Sequence, residues 1–204
     1  MSKESPSQVR AARRERRDRK RKIYRFITSF VVAMIALIFV ISFLLPSLPI
    51  FDRSNDVPEG PGKRFADLGR QHINPGDTHP DYNSYPATSG WHYPQPLAPV
   101  RWGVHSKFIE DEYFIHNLEH GGIGVFYNCE VDCPEMVDQL SNIVDKAVGG
   151  GMKVVMAPYP GMTTKIALTA WNFLDIFNEF DEDRIIKFIN SHESSPNSPE
   201  PNFR

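Results

Sequence analysis

A run of 20 residues without a charged side chain, Phe26 to Leu45, constrains this chain more than any other feature. As a helix rising 1.5 Å per residue, the run would be roughly 30 Å long, which is the thickness of the hydrocarbon core of a bilayer. The run is too long for the apolar part of a cleavable signal peptide, and no small-x-small cleavage site follows it. We therefore predict an uncleaved transmembrane anchor over residues 23–45, with the lipid bilayer as its partner.

The formal net charge of -2 hides a strong asymmetry along the chain. Residues 1–25 hold 11 Lys or Arg against 3 Asp or Glu, whereas the remainder holds 12 against 22. Positive charge next to a membrane helix stays in the cytoplasm, so residues 1–22 are predicted to be a basic cytoplasmic tail. Such a basic run is also typical of nucleic-acid-binding arms. Because this basic run lies next to a predicted membrane helix, we attribute it to the orientation of that helix and expect no nucleic-acid partner.

Composition divides the rest of the chain into a stalk, a folded domain and a tail. Prolines and glycines interrupt residues 46–64, which favours a stalk. Residues 193–204 have almost nothing to bury and are predicted to be a disordered tail. The remaining 65–192, about 128 residues, are enough for one hydrophobic core without help from a metal or a disulfide.

The extracytoplasmic domain is predicted to have an α+β fold. A proline-rich segment, residues 71–103, is expected to wrap over the domain without regular elements. Hydrophobic spacing then predicts strands over 122–128, 152–157 and 165–173 and helices over 134–148 and 181–192. A helix between the first two strands favours a parallel crossover, with the third strand antiparallel. The expected core is a mixed sheet in β-α-β-β-α order covered by helices.

Six of the seven histidines lie between residues 72 and 120. Because imidazole is the commonest metal-binding side chain, this density predicts a transition-metal site for a copper or zinc ion. Within it, His116 and His120 would lie one turn apart on one helix face, as two ligands of one ion must. The candidate ligands are His72, His79, His92, His116, Glu119 and His120. Alternatively, the histidines are structural and bond the irregular backbone of the proline-rich segment.

Residues 116–120 also read H-x-x-E-H, the pattern of inverted zinc peptidases. The motif runs directly into Gly121, Gly122 and a predicted strand, so the long helix that holds ligands and base in such enzymes is missing. No downstream acid is marked as a third ligand. The sequence therefore favours a non-catalytic protein, and no catalytic residue is predicted.

Cys129 and Cys133 form a second group of candidate functional residues. Outside the cytoplasm such a pair is expected to form a disulfide, and closing so short a loop stabilises the fold by only roughly 2 kcal/mol. Their position between a predicted strand and a helix N-terminus also favours a thiolate. Residues 126–134 resemble the C-x-x-x-C-P motif of Sco-type copper chaperones. This resemblance implies a thioredoxin-like fold, whose later part agrees with the predicted β-α-β-β-α order, and thiol-disulfide or copper-transfer chemistry.

Three segments together resemble a bacterial family of short, membrane-anchored proteins of unknown function. They read PATSGWHYP at 86–94, HNLEHGG at 116–122 and APYPGM at 157–162. The family's signatures are P-P-T-S-G-P-H-Y and H-N-L-E-H-G-G, from which the chain departs at Ala87 and Trp91. The resemblance spans about residues 72–191 and supplies no reaction. The residues that it implies act as a unit are His92, His116, Glu119 and His120.

The leading interpretation is a single-pass protein of the bacterial plasma (inner) membrane. Its periplasmic domain would bind or handle a transition metal through the histidine cluster. Two alternatives remain open. One is an accessory or scaffold subunit of a membrane protein complex, with structural histidines. The other is a thiol-disulfide or copper-transfer protein that uses Cys129 and Cys133.

Overall fold

A computed structural model describes residues 19–37, 60–129 and 131–203 of the 204-residue chain. The chain divides into two units, Met1–Asp56 and Val57–Arg204, which we describe separately. In the first unit, helix α1 covers residues 19–37. Among the described residues, no helix combines the length and the apolar content needed to cross a membrane. Residues 38–45 of the predicted anchor and 46–59 of the predicted stalk lie outside the described residues.

The second unit is built on one six-stranded mixed sheet. Its strands are β1 (Lys63–Arg64), β2 (Gly103–Val104), β3 (Ile123–Tyr127), β4 (Val154–Pro158), β5 (Ile166–Ala170) and β6 (Phe173–Phe177). Its helices are α2 (Asp111–Glu119), α3 (Pro134–Gly149) and α4 (Glu182–His192). The strands lie in the order β1-β6-β5-β3-β4-β2, with β4 parallel to both β2 and β3 and every other pair antiparallel. The predicted α+β class with a mixed sheet is confirmed.

Each face of the sheet is covered by its own hydrophobic core, because successive strand side chains point to opposite faces. On β3, Ile123 and Val125 belong to one core and Phe126 to the other. The first core is completed by α3 and α4, through Leu140, Ile143, Val144, Ile185, Phe188 and Ile189. The second is completed by Ala87 of the proline-rich segment, by Phe114, Ile115 and Leu118 of α2, and by Ile109 just before that helix. The proline-rich segment therefore covers the sheet on the same side as α2.

The two long helices begin at the signals that predicted them. Pro134 occupies the first turn of α3, where its missing N–H is not needed. Asp181 caps α4, since its Oδ1 accepts a hydrogen bond from the backbone N of Arg184 at 3.0 Å. The predicted bounds of these helices agree with the observed ones to within one residue.

The predicted single strand over 165–173 is wrong, because the chain forms a hairpin there. Strands β5 and β6 are joined by Trp171 and Asn172. Asn172 has a φ of 65°, the left-handed conformation that asparagine adopts more readily than most residues. The turn contains neither glycine nor proline, and Asn172 alone marks it in the sequence. The extra strand β6 extends the predicted order to β-α-β-β-β-α. In addition, β5 pairs with β3 and not with β4.

Two predicted boundaries are also corrected. Strand β1 lies inside the predicted stalk 46–64 and pairs with β6. At the other end, the predicted disordered tail 193–204 packs onto the domain over its described residues 193–203. There Ser195 and Ser198 are buried, and the backbone N of Ser194 donates to the carbonyl of Gly121 at 2.8 Å. Hydrogen bonds between polar groups thus compensate for the scarcity of apolar side chains. We call residues 194–203 the C-terminal strap.

Candidate metal centre

Four of the predicted ligands converge on one point. His72, His92, His116 and Glu119 each offer one ligand atom, and these atoms lie within 4.8 Å of one another. The ring centroids of the three histidines are 4.8 to 5.3 Å apart. This group of three imidazoles and one carboxylate could hold a metal ion. We call these four residues the His3Glu group.

Helix α2 and the proline-rich segment supply two members each. His116 and Glu119 are three residues apart on α2, so their side chains share one face of the helix. His72 and His92 come from the proline-rich segment, where their backbones form an isolated parallel bridge. Because that segment packs against α2 in the second core, the two pairs meet.

Backbone carbonyls fix the proton positions of two of the rings. Nδ1 of His92 lies 2.8 Å from the carbonyl oxygen of Gly90, and Nδ1 of His116 lies 2.7 Å from that of Tyr93. Since a carbonyl oxygen can only accept, each Nδ1 must carry a proton and donate it. In the neutral rings, Nε2 is then the atom with the free lone pair. Metal-binding histidines are held in this way, with the other ring nitrogen donating to a carbonyl or carboxylate.

The closest pair in the group is His92 and Glu119. Nε2 of His92 lies 3.1 Å from Oε2 of Glu119, and their side chains are 0% and 5% exposed. Nδ1 of His92 already donates to a carbonyl. The ring can therefore donate to the carboxylate as well only when both nitrogens carry a proton, that is, as an imidazolium. As a neutral ring, it turns a lone pair toward a carboxylate, and a cation between the two atoms would stabilise that arrangement.

Electrostatics keeps the carboxylate ionised and two of the neighbouring imidazoles neutral. Burial by itself raises the pKa of Glu119, but the hydrogen bond and the charge that His92 supplies in its imidazolium form outweigh it, so that the pKa is lowered. Burial lowers the pKa of His116, and burial likewise lowers the pKa of His120 to about 4. An ionised carboxylate and neutral imidazoles are the forms that bind metals.

His120 lies next to the His3Glu group and does not belong to it. Helix α2 ends at Glu119, and His120 is the residue that follows. Its ring centroid is 4.7 Å from that of His116, and its Nε2 is 3.5 Å from Oε2 of Glu200. The group therefore contains the pair His116 and Glu119, whereas the sequence predicted His116 and His120.

His79 belongs to a different set of contacts. Its Nδ1 donates to the carbonyl of Pro80 at 2.8 Å, and its Nε2 lies 3.2 Å from Oε1 of Glu112. Burial lowers the pKa of His79, but these two hydrogen bonds outweigh it, so that the pKa is raised. His105 and His192 likewise donate from Nε2 to backbone carbonyls. The structural interpretation of the histidines thus describes these three.

Two charged residues beside the group were missed by the sequence reasoning. Nη1 of Arg70 lies 3.8 Å from Oε1 of Glu119 and 3.2 Å from Oε1 of Glu200. The backbone N of Glu200 also donates to the carbonyl of Glu119 at 2.9 Å. Arg70 and Glu200 are 130 positions apart, and no motif marks either, so no local pattern could have paired them.

The predicted disulfide between Cys129 and Cys133 is present, with the two Cα atoms 6.0 Å apart. It lies between the end of β3 and the start of α3, as the sequence predicted. The bond is away from the His3Glu group, which is formed by α2 and the proline-rich segment. The disulfide and the His3Glu group are therefore separate.

Comparison with known proteins adds one finding. A family described as protein of unknown function (DUF3105) matches residues 73–204. The match includes three members of the His3Glu group and the whole C-terminal strap, and it begins one residue after His72. Neither a curated protein nor a solved structure matches the chain.

Proposed function

The chain belongs to the DUF3105 family of proteins of unknown function, and we propose that it is a membrane-anchored extracytoplasmic protein that binds a divalent transition metal. The ligands would be His72, His92, His116 and Glu119. One observation carries this proposal: donor atoms of three imidazoles and one carboxylate lie within 4.8 Å of one another.

The donor set supports zinc or copper(II) as the metal. Imidazole suits both ions, whereas magnesium and calcium prefer sets made of oxygen ligands alone, and copper(I) prefers sulfur. Ligand atoms of a tetrahedral ion at about 2 Å lie about 3.3 Å apart. The present atoms spread over up to 4.8 Å, so the group would have to contract when the ion binds.

The arrangement favours holding or delivering the metal over catalysis. Four protein ligands fill a tetrahedral ion, whereas a catalytic zinc keeps one position for water. The side chain of His72 is 49% exposed, while those of His92 and Glu119 are buried. His72 therefore forms the side of the group through which an ion can enter and leave.

The location of the domain is a further part of the proposal. The uncharged run over 26–45, the basic residues before it and a disulfide that suits an oxidising compartment all support a periplasmic domain on an inner-membrane anchor. Alkaline phosphatase is active only outside the cytoplasm. We therefore expect a fusion of this enzyme to the C-terminus of the chain to be active. An inactive fusion that is present at normal amounts would contradict this location.

Metal analysis of the purified full-length protein in detergent tests the metal site. After loading with zinc or copper(II) and desalting, we expect about one ion per chain. His92→Ala and His116→Ala should each abolish this binding, whereas His105→Ala should not, because His105 lies outside the group. A wild-type stoichiometry near zero, or a stoichiometry unchanged by His116→Ala, would refute the proposal.

The rival function, an accessory or scaffold subunit with structural histidines, makes a different prediction. If His116 is only structural, His116→Ala lowers the melting temperature equally with and without metal. A metal that binds only the folded state raises its stability by mass action. We expect zinc to raise the melting temperature of the wild-type protein and to leave that of His116→Ala unchanged.

A further inference from the structure

The cysteine pair lies at the opposite end of β3 from the His3Glu group. Helix α2 leads through Gly121 and Gly122 into the start of β3, whereas Cys129 and Cys133 follow its end. The five residues of β3 span about 17 Å at roughly 3.3 Å each. Any chemistry at the cysteines is therefore independent of the proposed metal site.

Strand β3 is also where the pairing of the sheet changes. It is parallel to β4 on one side and antiparallel to β5 on the other, and the chain passes from β4 to β5 across it. In open sheets with parallel strands, binding sites form outside the carboxyl ends of the strands, at the point where the connections diverge. The disulfide occupies this point.

The disulfide is accessible and is not needed for the hydrophobic cores. Both cysteines are half-buried, and Val131 between them is 80% exposed. Both cores of the second unit are built from other residues. Closing so short a loop contributes only about 2 kcal/mol. The fold should therefore tolerate the reduced pair.

The start of α3 favours Cys133 as a leaving group. Cys133 immediately precedes this 16-residue helix, and its side chain makes no capping hydrogen bond. The first-turn amides and the helix dipole stabilise negative charge at that position. When the disulfide is attacked at Cys129, the electron pair therefore leaves most readily on the sulfur of Cys133.

A pocket of about 380 Å³ opens beside the two sulfurs. It is lined by both cysteines and by the loop between β4 and β5, with Met162, Thr163, Thr164 and Lys165. Nδ2 of Asn128 donates to the carbonyl of Met162 at 2.7 Å and so ties this loop to the end of β3. The volume is at the small end of ligand pockets and suits a side chain or two of a polypeptide.

We propose that Cys129 and Cys133 exchange their disulfide with a dithiol of a protein substrate. A substrate thiolate attacks Sγ of Cys129 and forms an interchain disulfide, while the bond to Cys133 breaks and Cys133 leaves as a thiolate. The second substrate thiolate then attacks the substrate sulfur of that bond and releases Cys129. Two electrons and two protons pass to Cys129 and Cys133, and the two thiols of the substrate become a disulfide. The reverse sequence reduces a disulfide of the substrate.

Thiol reactivity in the full-length protein tests the assignment of the two sulfurs. In Cys129→Ser, the remaining Cys133 should react with iodoacetamide at pH 7 at least about threefold faster than Cys129 does in Cys133→Ser. A tenfold larger fraction of thiolate is partly offset by the lower nucleophilicity of a thiolate with a lower pKa, which leaves a net rate increase of about threefold. Equal rates, or a faster Cys129, would overturn the assignment.

Exchange in the wild-type protein tests the proposal without any substitution. The oxidised protein is mixed with a peptide dithiol, quenched with acid and analysed by mass, while circular dichroism follows the fold. We expect transfer of the disulfide to the peptide with the fold intact, at the same rate in His116→Ala. A pair that stays oxidised in excess dithiol until the protein unfolds would overturn the proposal. Metal stoichiometry in the cysteine variants then reports on the metal site separately.

Discussion

The ring of Phe203 lies on the ring of His120, with their centroids 3.7 Å apart. Nζ of Lys153 holds the same region together, since it donates to the carbonyl of His120 at 2.5 Å and to that of Pro201 at 2.8 Å. The C-terminal strap is thereby fixed against the end of α2, directly beside the His3Glu group. The strap is a wall of the candidate site.

Phe203→Ala should loosen this wall. We expect faster hydrogen exchange at the backbone N–H of Glu200, which donates to Glu119, and release of bound zinc that is faster by about threefold or more. Phe108→Ala is the matched control, because Phe108 and Phe203 are both 43% exposed. Equal effects of the two substitutions on zinc release would show that the strap does not enclose the site.

Glu119→Gln should weaken metal binding while keeping the size of the side chain. Changes next to a bound metal typically cost 10- to 100-fold in affinity, and loss of a ligand should cost at least about tenfold. Competition with a zinc-sensitive dye measures this affinity. Glu112→Gln lies on the same helix and alters a carboxylate paired with His79, outside the group, so it should leave the affinity unchanged.

Asp111 should make the domain less stable as the pH rises from about 4 to about 7. Burial raises its pKa to about 6, although hydrogen bonds from Tyr159 and from the backbone N of Ala87 oppose the shift. The folded state thus holds the proton more tightly than the unfolded state. The stabilisation is complete below the pKa that Asp111 has in the unfolded state, and it is lost as the pH rises through the pKa that Asp111 has in the folded state.

Urea unfolding at pH 4.5 and pH 7.5 measures this dependence. Relative to Asp111→Asn, wild type should lose about 2 kcal/mol between these two pH values, because about 1 of the roughly 3 kcal/mol that two pKa units represent is already lost at pH 4.5. Glu110→Gln, an exposed neighbour, should keep the wild-type dependence. An Asp111→Asn profile parallel to wild type would refute this account of Asp111.

Gly122→Ala should destabilise the junction between α2 and β3. A Cβ there would lie 2.5 Å from the ring of Trp102 and 2.7 Å from the carbonyl oxygen of Asn117. Overpacking of this kind typically costs about 1 to 3 kcal/mol. Gly149→Ala, at the end of α3, has nothing within 4 Å and should stabilise by up to about 1 kcal/mol. Thermal unfolding of the two variants should therefore shift in opposite directions.

Local patterns predicted much of this fold and part of the site. The α+β class, the bounds of α3 and α4 and the disulfide followed from hydrophobic spacing, Pro134, Asp181 and the pair of cysteines. Each of these signals acts within a few residues of the structure that it specifies. The density of histidines also predicted a cluster, since all four members of the His3Glu group lie within residues 72–119.

Long-range contacts account for what the sequence did not predict. Nothing within residues 116–120 distinguishes Glu119, which enters the group, from His120, which is covered by Phe203. That difference depends on where α2 ends and on where the C-terminal strap returns. The strap itself was predicted to be disordered because its polar residues bury little, whereas it is held by hydrogen bonds to Gly121 and Lys153.

X-ray absorption of the zinc-loaded full-length protein tests the central claim most directly, because it reports the ligands themselves. The account predicts imidazole nitrogen and carboxylate oxygen at about 2.0 to 2.2 Å, with three imidazoles per zinc, and no zinc retained by His116→Ala. A first shell of water oxygens alone, a sulfur ligand near 2.3 Å, or a spectrum unchanged by His116→Ala would contradict it.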